Sequence, residues 1–259
     1  MKYTYNDLAQ MIDHALLHPT LSDQELESGC ALAHEYKIAT VCVKPFHVKQ
    51  AVSLLKDSEV KVGCVIGFPH GTVPQKVKRY ETKLACQGGA VEVDMVINHG
   101  KAMSADWHYV STDIKAVCEE AHSHGALVKV IFSNDYLKDG GAGLTGDQMI
   151  AKLCEVSEDA GADWVKTSTG FDYVKRTEGG FECLGATMHD LKIMRSACSE
   201  KVQVKAAGGV RDLDTLIEVR NLGATRCGTS STQAILDEYN YREINGHART
   251  PDHGSTEGY

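Results

Sequence analysis

The chain lacks most of the features that would assign a class at a glance. Its nine cysteines, at 30, 42, 64, 86, 118, 154, 183, 198 and 227, never come closer than twelve positions, so no CxxC pair supports a zinc ribbon or redox motif. Among twelve histidines there is no HExxH or comparable ligand pair, so no metal is expected. No apolar run approaches the roughly 20 residues of a membrane span. The opening MKYTYNDLAQMIDH has no apolar h-region of a signal peptide. Basic residues are the minority, 27 Lys+Arg against 35 Asp+Glu, for a formal net charge of -8. That balance argues against nucleic acid as a partner. It leaves a small anionic ligand open, because a few local donors outweigh a distant net charge. These absences predict a soluble, cytoplasmic protein with reduced thiols and no membrane partner.

What is present is a core. Apolar residues make up 42% of 259, which excludes a disordered chain. The length allows one or two domains, and α/β barrels of about 250 residues fold as one. Short β-branched runs recur at Thr40–Val43, Val60–Ile66, Val91–Ile97, Leu127–Phe132, Trp164–Thr167, Val202–Ala207 and Thr225–Gly228. Met11–Leu17 opens the series, although its propensities suit a helix equally well. Helical periodicity fills the gaps over Gln24–Tyr36, Lys76–Gln87, Trp107–His124, Gly146–Ala160, Gly185–Ser199 and Leu213–Leu222. Thr145 and Asp212 read as N-caps, and Gly125, Gly161 and Gly223 as the glycines that close helices.

Strand–helix alternation with a period near 30 residues implies a parallel sheet, and eight repeats fit a (β/α)₈ TIM barrel. An open doubly wound sheet is the alternative. Against it, no GxGxxG follows the first run, and small-residue turns follow the seventh and eighth. No Pro-rich or Gly/Ser-rich linker divides the chain. The expected organisation is one barrel over residues 1–237 and a polar C-terminal tail over 238–259.

Barrel active sites form where strands end. Lys166 closes the sixth run, Lys205 lies in the seventh and Asp94 in the fourth, and strand alternation lets all three face inward. Neighbouring interior ammonium ions repel, which favours a neutral amine on one lysine. A neutral lysine is what Schiff-base chemistry on a carbonyl requires. An interior Lys166–Asp94 ion pair with no chemistry fits the pattern about as well. Lys129, in the fifth run, reads as structural or electrostatic. Gly208-Gly209 and Gly228-Thr229-Ser230-Ser231 end consecutive strands, where exposed backbone N–H groups can bind phosphate. Ser168, Thr169 and Gly170 are placed to close the same pocket.

The stretches TVCVKP (40–45), VIGFPHG (65–71), EVDMVIN (92–98), VKVIF (128–132), ADWVKTSTG (162–170) and VKAAGGVR (204–211) together resemble the 2-deoxyribose-5-phosphate aldolase family of the deoC type. The likeness spans roughly residues 11–236, and VKTSTG followed by KAAGGVR is its most specific part. It implies a class I aldolase, using no cofactor and no metal, that interconverts 2-deoxyribose 5-phosphate with glyceraldehyde 3-phosphate and acetaldehyde. Lys166 would be the Schiff-base lysine, Lys205 the lysine that depresses its pKa, and Asp94 part of a proton relay, with the C3–C4 bond breaking. Gly170, Gly208, Gly209, Gly228 and Ser230 would cradle the phosphate, with Ser168 beside them. Asp13 would orient substrate hydroxyls, and the terminal Tyr259 would assist proton transfer. The partners expected are a phosphorylated sugar, a short aldehyde and further copies of the chain, a dimer first. The chain departs from the family pattern at Lys44, at Ser133-Asn134 and at Ala15. Three rivals remain: a Schiff-base aldolase for another sugar phosphate, a phosphate-binding isomerase, and a non-catalytic sensor barrel.

Overall fold

The structure is a computed structural model in which residues 1–175 and 179–246 are described. After a short helix α1 (Tyr5–Ala9), the strands follow as β1 (Ile12–Leu16), β2 (Thr40–Val43), β3 (Lys61–Ile66), β4 (Glu92–Val96), β5 (Leu127–Ile131) and β6 (Trp164–Lys166). A short pair, β7 (Val174–Lys175) and β8 (Phe181–Glu182), comes next, and then β9 (Gln203–Ala207) and β10 (Ala224–Thr229). Eight of them close into one parallel barrel in the order β1-β2-β3-β4-β5-β6-β9-β10. Closure runs through β1 against β10, with Asp13 opposite Gly228, and this excludes the open-sheet alternative. The same pairing decides the ambiguous Met11–Leu17 run as a strand, because β2 and β10 hold its backbone on both sides.

A parallel strand inside a helix layer is covered on both faces, so it reads as a continuous apolar run. All five residues of β4 are buried, and so are all three of β6. The layer around them is α2 (Asp23–Tyr36), α3 (Val48–Leu54), α4 (Gln75–Gln87), α5 (His99–Met103), α6 (Trp107–Ser123), α7 (Gly146–Asp159), α8 (Met188–Ala197), α9 (Leu213–Asn221) and α10 (Thr232–Ile244). The two expected N-caps form: Thr145 accepts from the Gln148 N–H in a capping box, and Asp212 accepts from the Thr215 N–H. Gly125, Gly161 and Gly223 all take positive φ at helix ends.

Three boundaries differ from the sequence reading. Helix α10 runs on to Ile244, so residues 238–244 belong to the barrel and not to a tail. Its buried face, Thr232, Ile235, Leu236 and Tyr239, keeps helical spacing but is outnumbered by polar neighbours. Helix α8 starts at Met188, because Leu184 and Gly185 are held in a loop by the Asp135 carboxylate, which accepts both N–H groups (2.9 and 3.0 Å). The β7–β8 hairpin had no sequence signal strong enough to mark it.

Helices α4 and α6 are locked to the end of β4 by a buried pair. Lys78 Nζ donates to Asp113 Oδ2 (2.5 Å) and to the Val96 carbonyl (2.8 Å). Both side chains are essentially inaccessible. Removing one partner strands the other charge in a dry site, whereas replacing both with apolar groups removes the problem. Asp113→Ala is expected to cost about 3–5 kcal/mol of stability. A Lys78→Met/Asp113→Leu double variant should recover most of it, both read from urea unfolding midpoints.

Candidate active site

The interior of the barrel is a charged cluster. Four basic side chains (Lys129 on β5, Lys166 on β6, Lys205 on β9, Arg226 on β10) meet three acidic ones (Asp13 on β1, Glu92 and Asp94 on β4). Asp94 is the hub. Its Oδ2 accepts from Lys166 Nζ (2.8 Å) and Lys205 Nζ (2.7 Å), and its Oδ1 accepts from Lys129 Nζ (3.0 Å). Asp13 Oδ2 accepts from Lys205 Nζ (2.5 Å), and its Oδ1 accepts from Arg226 Nε (3.0 Å). Glu92 accepts from Lys129 and Arg226, whose guanidinium also reaches Thr40 Oγ1 (2.8 Å). The strand registers explain the meeting: Lys166 lies beside Lys205, and Asp94 beside Lys129.

The three lysines are not equivalent. Among the described residues, Lys166 is ion-paired to one carboxylate, Lys205 to two and Lys129 to three. Burial pulls Lys166 below the ordinary lysine range; Asp94 opposes this and Lys205 adds to it. Burial pulls on Lys205 as well, but Asp13 and Asp94 together hold it above that range. Lys129 is held up in the same way by Asp13, Asp94 and Glu92. Burial opposes the ionisation of Asp94 too, yet Lys129, Lys166 and Lys205 keep its carboxyl well below the usual range. With four cations against three anions, Lys166 has the weakest claim on a carboxylate, and its ammonium form is the least supported of the three lysines. Desolvation is the larger cause and lysine–lysine repulsion the smaller, which reverses the emphasis of the sequence reading.

Lys166 and Lys205 open onto a cavity of about 400 Å³ at the C-terminal ends of the strands. Asp13, Ala15, Cys42, Gly170, Gly208, Gly209, Gly228 and Ser230 share its wall. A Cβ at Gly228 would sit 3.3 Å from both Ala207 Cβ and Lys205 Cε, a close contact that the neighbours would have to relieve by a few tenths of an ångström. Gly170 is needed for conformation: it takes φ +81 with open space in front of it.

Two expected site residues are placed differently. Ser168 does not line the cavity. It is fully buried, its hydroxyl donates to Asp172 Oδ2 (2.5 Å), and it accepts the Gly170 N–H (2.9 Å). It shapes the loop from behind. Asp94 also lies behind the wall, reaching the cavity through the two lysines. Tyr259 lies outside the described residues. Of the family departures, Lys44 does not line the cavity but donates to the carbonyl of His18 (2.6 Å), a residue that does. Ser133 is buried in a left-handed turn, and Ala15 faces the cavity.

The sequence reading missed Glu92, Arg226, Arg211 and Asp172. Glu92 stands two residues before Asp94, and Arg226 two before Gly228, so strand alternation alone puts each on the inward face. Arg211 stands two positions after the double glycine and lines the cavity. Asp172 had no local signal. Asp135, Asp172 and Cys183 bring three potential metal-ligand atoms within 4.8 Å. Both carboxylates are engaged as anchors of the β6 loop.

The DeoC/LacD family aldolase profile matches residues 8–236. The chain belongs to the DeoC/LacD family of aldolases. It is therefore a lyase acting on a carbon–carbon bond. This aldolase is 44% identical over 236 residues to the deoxyribose-phosphate aldolase of Rhodopirellula baltica, covering 91% of this chain and 90% of that one. To the deoxyribose-phosphate aldolase of Clostridium perfringens it is 45% identical over 230 residues, 89% of this chain and 94% of the relative. The tetrameric deoxyribose phosphate aldolase structure from Aeropyrum pernix superposes with a TM-score of 0.79 at 29% identity, over 92% of both chains. No helix among the described residues is long and apolar enough to cross a membrane.

The aldolase also carries a pH-sensitive group at its cavity rim. Burial pushes the His14 imidazole down to about 4, while its Nδ1 sits 2.9 Å from Thr232 Oγ1. The unfolded chain takes up a proton near pH 6.5 that the folded chain takes up only near 4. The stabilising contribution is therefore whole above about pH 6.5 and is lost as pH falls through about 4, a change of about 3 kcal/mol. His14→Gln is expected to flatten the pH dependence of the unfolding free energy across that window, measured by urea titration at several pH values.

Proposed function

We propose that this aldolase is a Schiff-base enzyme for 2-deoxyribose 5-phosphate, producing glyceraldehyde 3-phosphate and acetaldehyde. The observation that carries the reading is Lys166. It is buried, lines the cavity, has one carboxylate contact and is held below the ordinary lysine range, while Lys205 beside it is held above. The pair supplies a nucleophile and an acid within one carboxylate's reach. The names of the relatives support the substrate.

In this reading the Lys166 Nζ lone pair attacks C1 of the open-chain aldehyde. Lys205, charged and adjacent, donates a proton to the departing hydroxyl, and water leaves to give an iminium. Product accounting places the break at C2–C3 and not at C3–C4. Acetaldehyde keeps C1 and C2, and the three-carbon product keeps C3 to C5. The electrons of the C2–C3 bond move into the iminium to form an enamine, and the C3 hydroxyl loses its proton to Lys205. Protonation at C2 and hydrolysis then release acetaldehyde and free Lys166. Asp94 acts through Lys166 and Lys205 by holding both Nζ atoms in place. The phosphate end falls to the rim: Gly170, Gly208, Gly209 and Ser230, with the guanidinium of Arg211 and the N-terminus of α10 close by. Binding energy gathered there, remote from the breaking bond, fixes the reacting carbon against Lys166.

Borohydride reduction in the presence of acetaldehyde should leave a two-carbon adduct on Lys166, located by peptide mass spectrometry. Lys166→Met should abolish the adduct and lower turnover of 2-deoxyribose 5-phosphate by about 10³-fold or more. An adduct elsewhere, or turnover retained, defeats the Schiff-base reading.

Nine free thiols, eight of them buried or half-buried, support a reducing, cytosolic setting. A homo-oligomer is part of the proposal. Val77, Tyr80 and Leu84 form an exposed apolar stripe along α4, at 48%, 61% and 50% exposure. Tyr80→Glu is expected to lower the mass measured by light scattering; an unchanged oligomer would clear α4 of that role.

A further inference from the structure

The floor of the barrel holds a buried ion pair that takes no part in the steps above. Glu92 is the first residue of β4, and Arg226 lies on β10. Both are largely buried, and they contact each other, Thr40 and two members of the upper cluster. Glu92 accepts from Lys129, and Arg226 donates to Asp13 (3.0 Å). Trp164 closes the floor, with the Lys129 ammonium and the Arg226 guanidinium each 5.8 Å from its ring centroid. An unbroken chain of contacts thus runs from Arg226 through Glu92 and Lys129 to Asp94 and Lys166. A second runs from Arg226 through Asp13 and Lys205 to the same Asp94.

Carboxylate oxygens are the scarce component of this network. Every cation in it shares an acceptor with another. We propose that Glu92 and Arg226 are a positioning pair that apportions Asp94 among the three lysines, and so sets the pH range in which Lys166 is free to attack a carbonyl. The inference rests on the Schiff-base reading and adds residues that never touch substrate.

The direction of each effect follows from the contacts. Without Arg226, Asp13 and Glu92 lose a cation and draw Lys205 and Lys129 more closely. Asp94 is then left more fully to Lys166, its ammonium form gains, and the attacking form appears at higher pH. Without the Glu92 charge, Lys129 leans harder on Asp94, and Arg226 on Asp13. Lys166 keeps less of Asp94 and loses its proton at lower pH. The remaining groups around Lys166 do not counter this. Cys42 on β2 is pushed up to about 11 and Cys64 on β3 well above the ordinary thiol range, both first by burial, so they stay neutral thiols.

The test is the pH dependence of adduct formation at Lys166 with acetaldehyde and cyanoborohydride, in the full-length chain. Arg226→Gln should move the midpoint up, and Glu92→Gln should move it down, each by about one pH unit, a roughly tenfold change in trapping rate at a fixed pH below the midpoint. Arg226→Lys, which keeps the charge, should stay nearest the parent. The Glu92→Gln/Arg226→Gln double variant removes one charge of each sign and should return toward it. Should one single variant fail to fold by circular dichroism, the other carries the test: a midpoint moved in its stated direction upholds the pairing, and a parental midpoint overturns it. Midpoints that stay put in both folded single variants, or that move the same way, also overturn the proposal. Absence of a Lys166 adduct in the parent chain would instead defeat the underlying Schiff-base reading.

Discussion

The Asp94 carboxylate is the constraint on which the rest of the site depends. Three lysines from three strands converge on its two oxygens. In a dry interior such a group is tolerated only when it is both paired and hydrogen-bonded. The pairing is uneven, and the unevenness gives the site its chemistry. Lys129 and Lys205 have second carboxylates to fall back on, and Lys166 has none among the described residues. The same burial that would destabilise any ammonium therefore acts with least opposition on Lys166.

The barrel makes this affordable because closure brings the strands' inward faces to a common axis. Pairing of β1 with β10 brings Asp13 onto Arg226 and within reach of Lys129. At the strand ends the charge gives way to small residues, which line the cavity. Gly228 clears the space over Lys205, and Ser168 with Asp172 fixes the Gly170 turn from behind. The chain as a whole carries a net charge of -8. The barrel interior carries four basic groups against three acidic ones, a local balance that the net charge does not report.

Much of the fold was legible. Period and β-branched composition located all eight barrel strands, since buried parallel strands differ sharply from amphipathic helices in pattern. The end of α10 was not legible, because the few residues that pack it are scattered among charged ones. The β7–β8 hairpin was not legible either, because its anchors lie elsewhere: Asp135 is on the neighbouring loop, some fifty positions from the Gly185 N–H it accepts. Of the site, the residues with the strongest local motif, Lys166 and Lys205, were found, and Glu92 and Arg226 were passed over although strand alternation pointed them inward. Ser168 was misplaced because a hydroxyl in a loop offers no clue to which side of the loop it will face.

The sequence by itself determined that this chain forms a (β/α)₈ barrel, that lysines and an aspartate line its interior, and that small-residue turns end its last two strands. Those are properties of local periodicity and residue type, and they survive without knowing which strand touches which. Only the tertiary structure decided which lysine is least supported as an ammonium ion. That outcome is a competition among four cations for three carboxylates, and its result depends on distances of a few ångströms between residues that lie up to 213 positions apart in the chain.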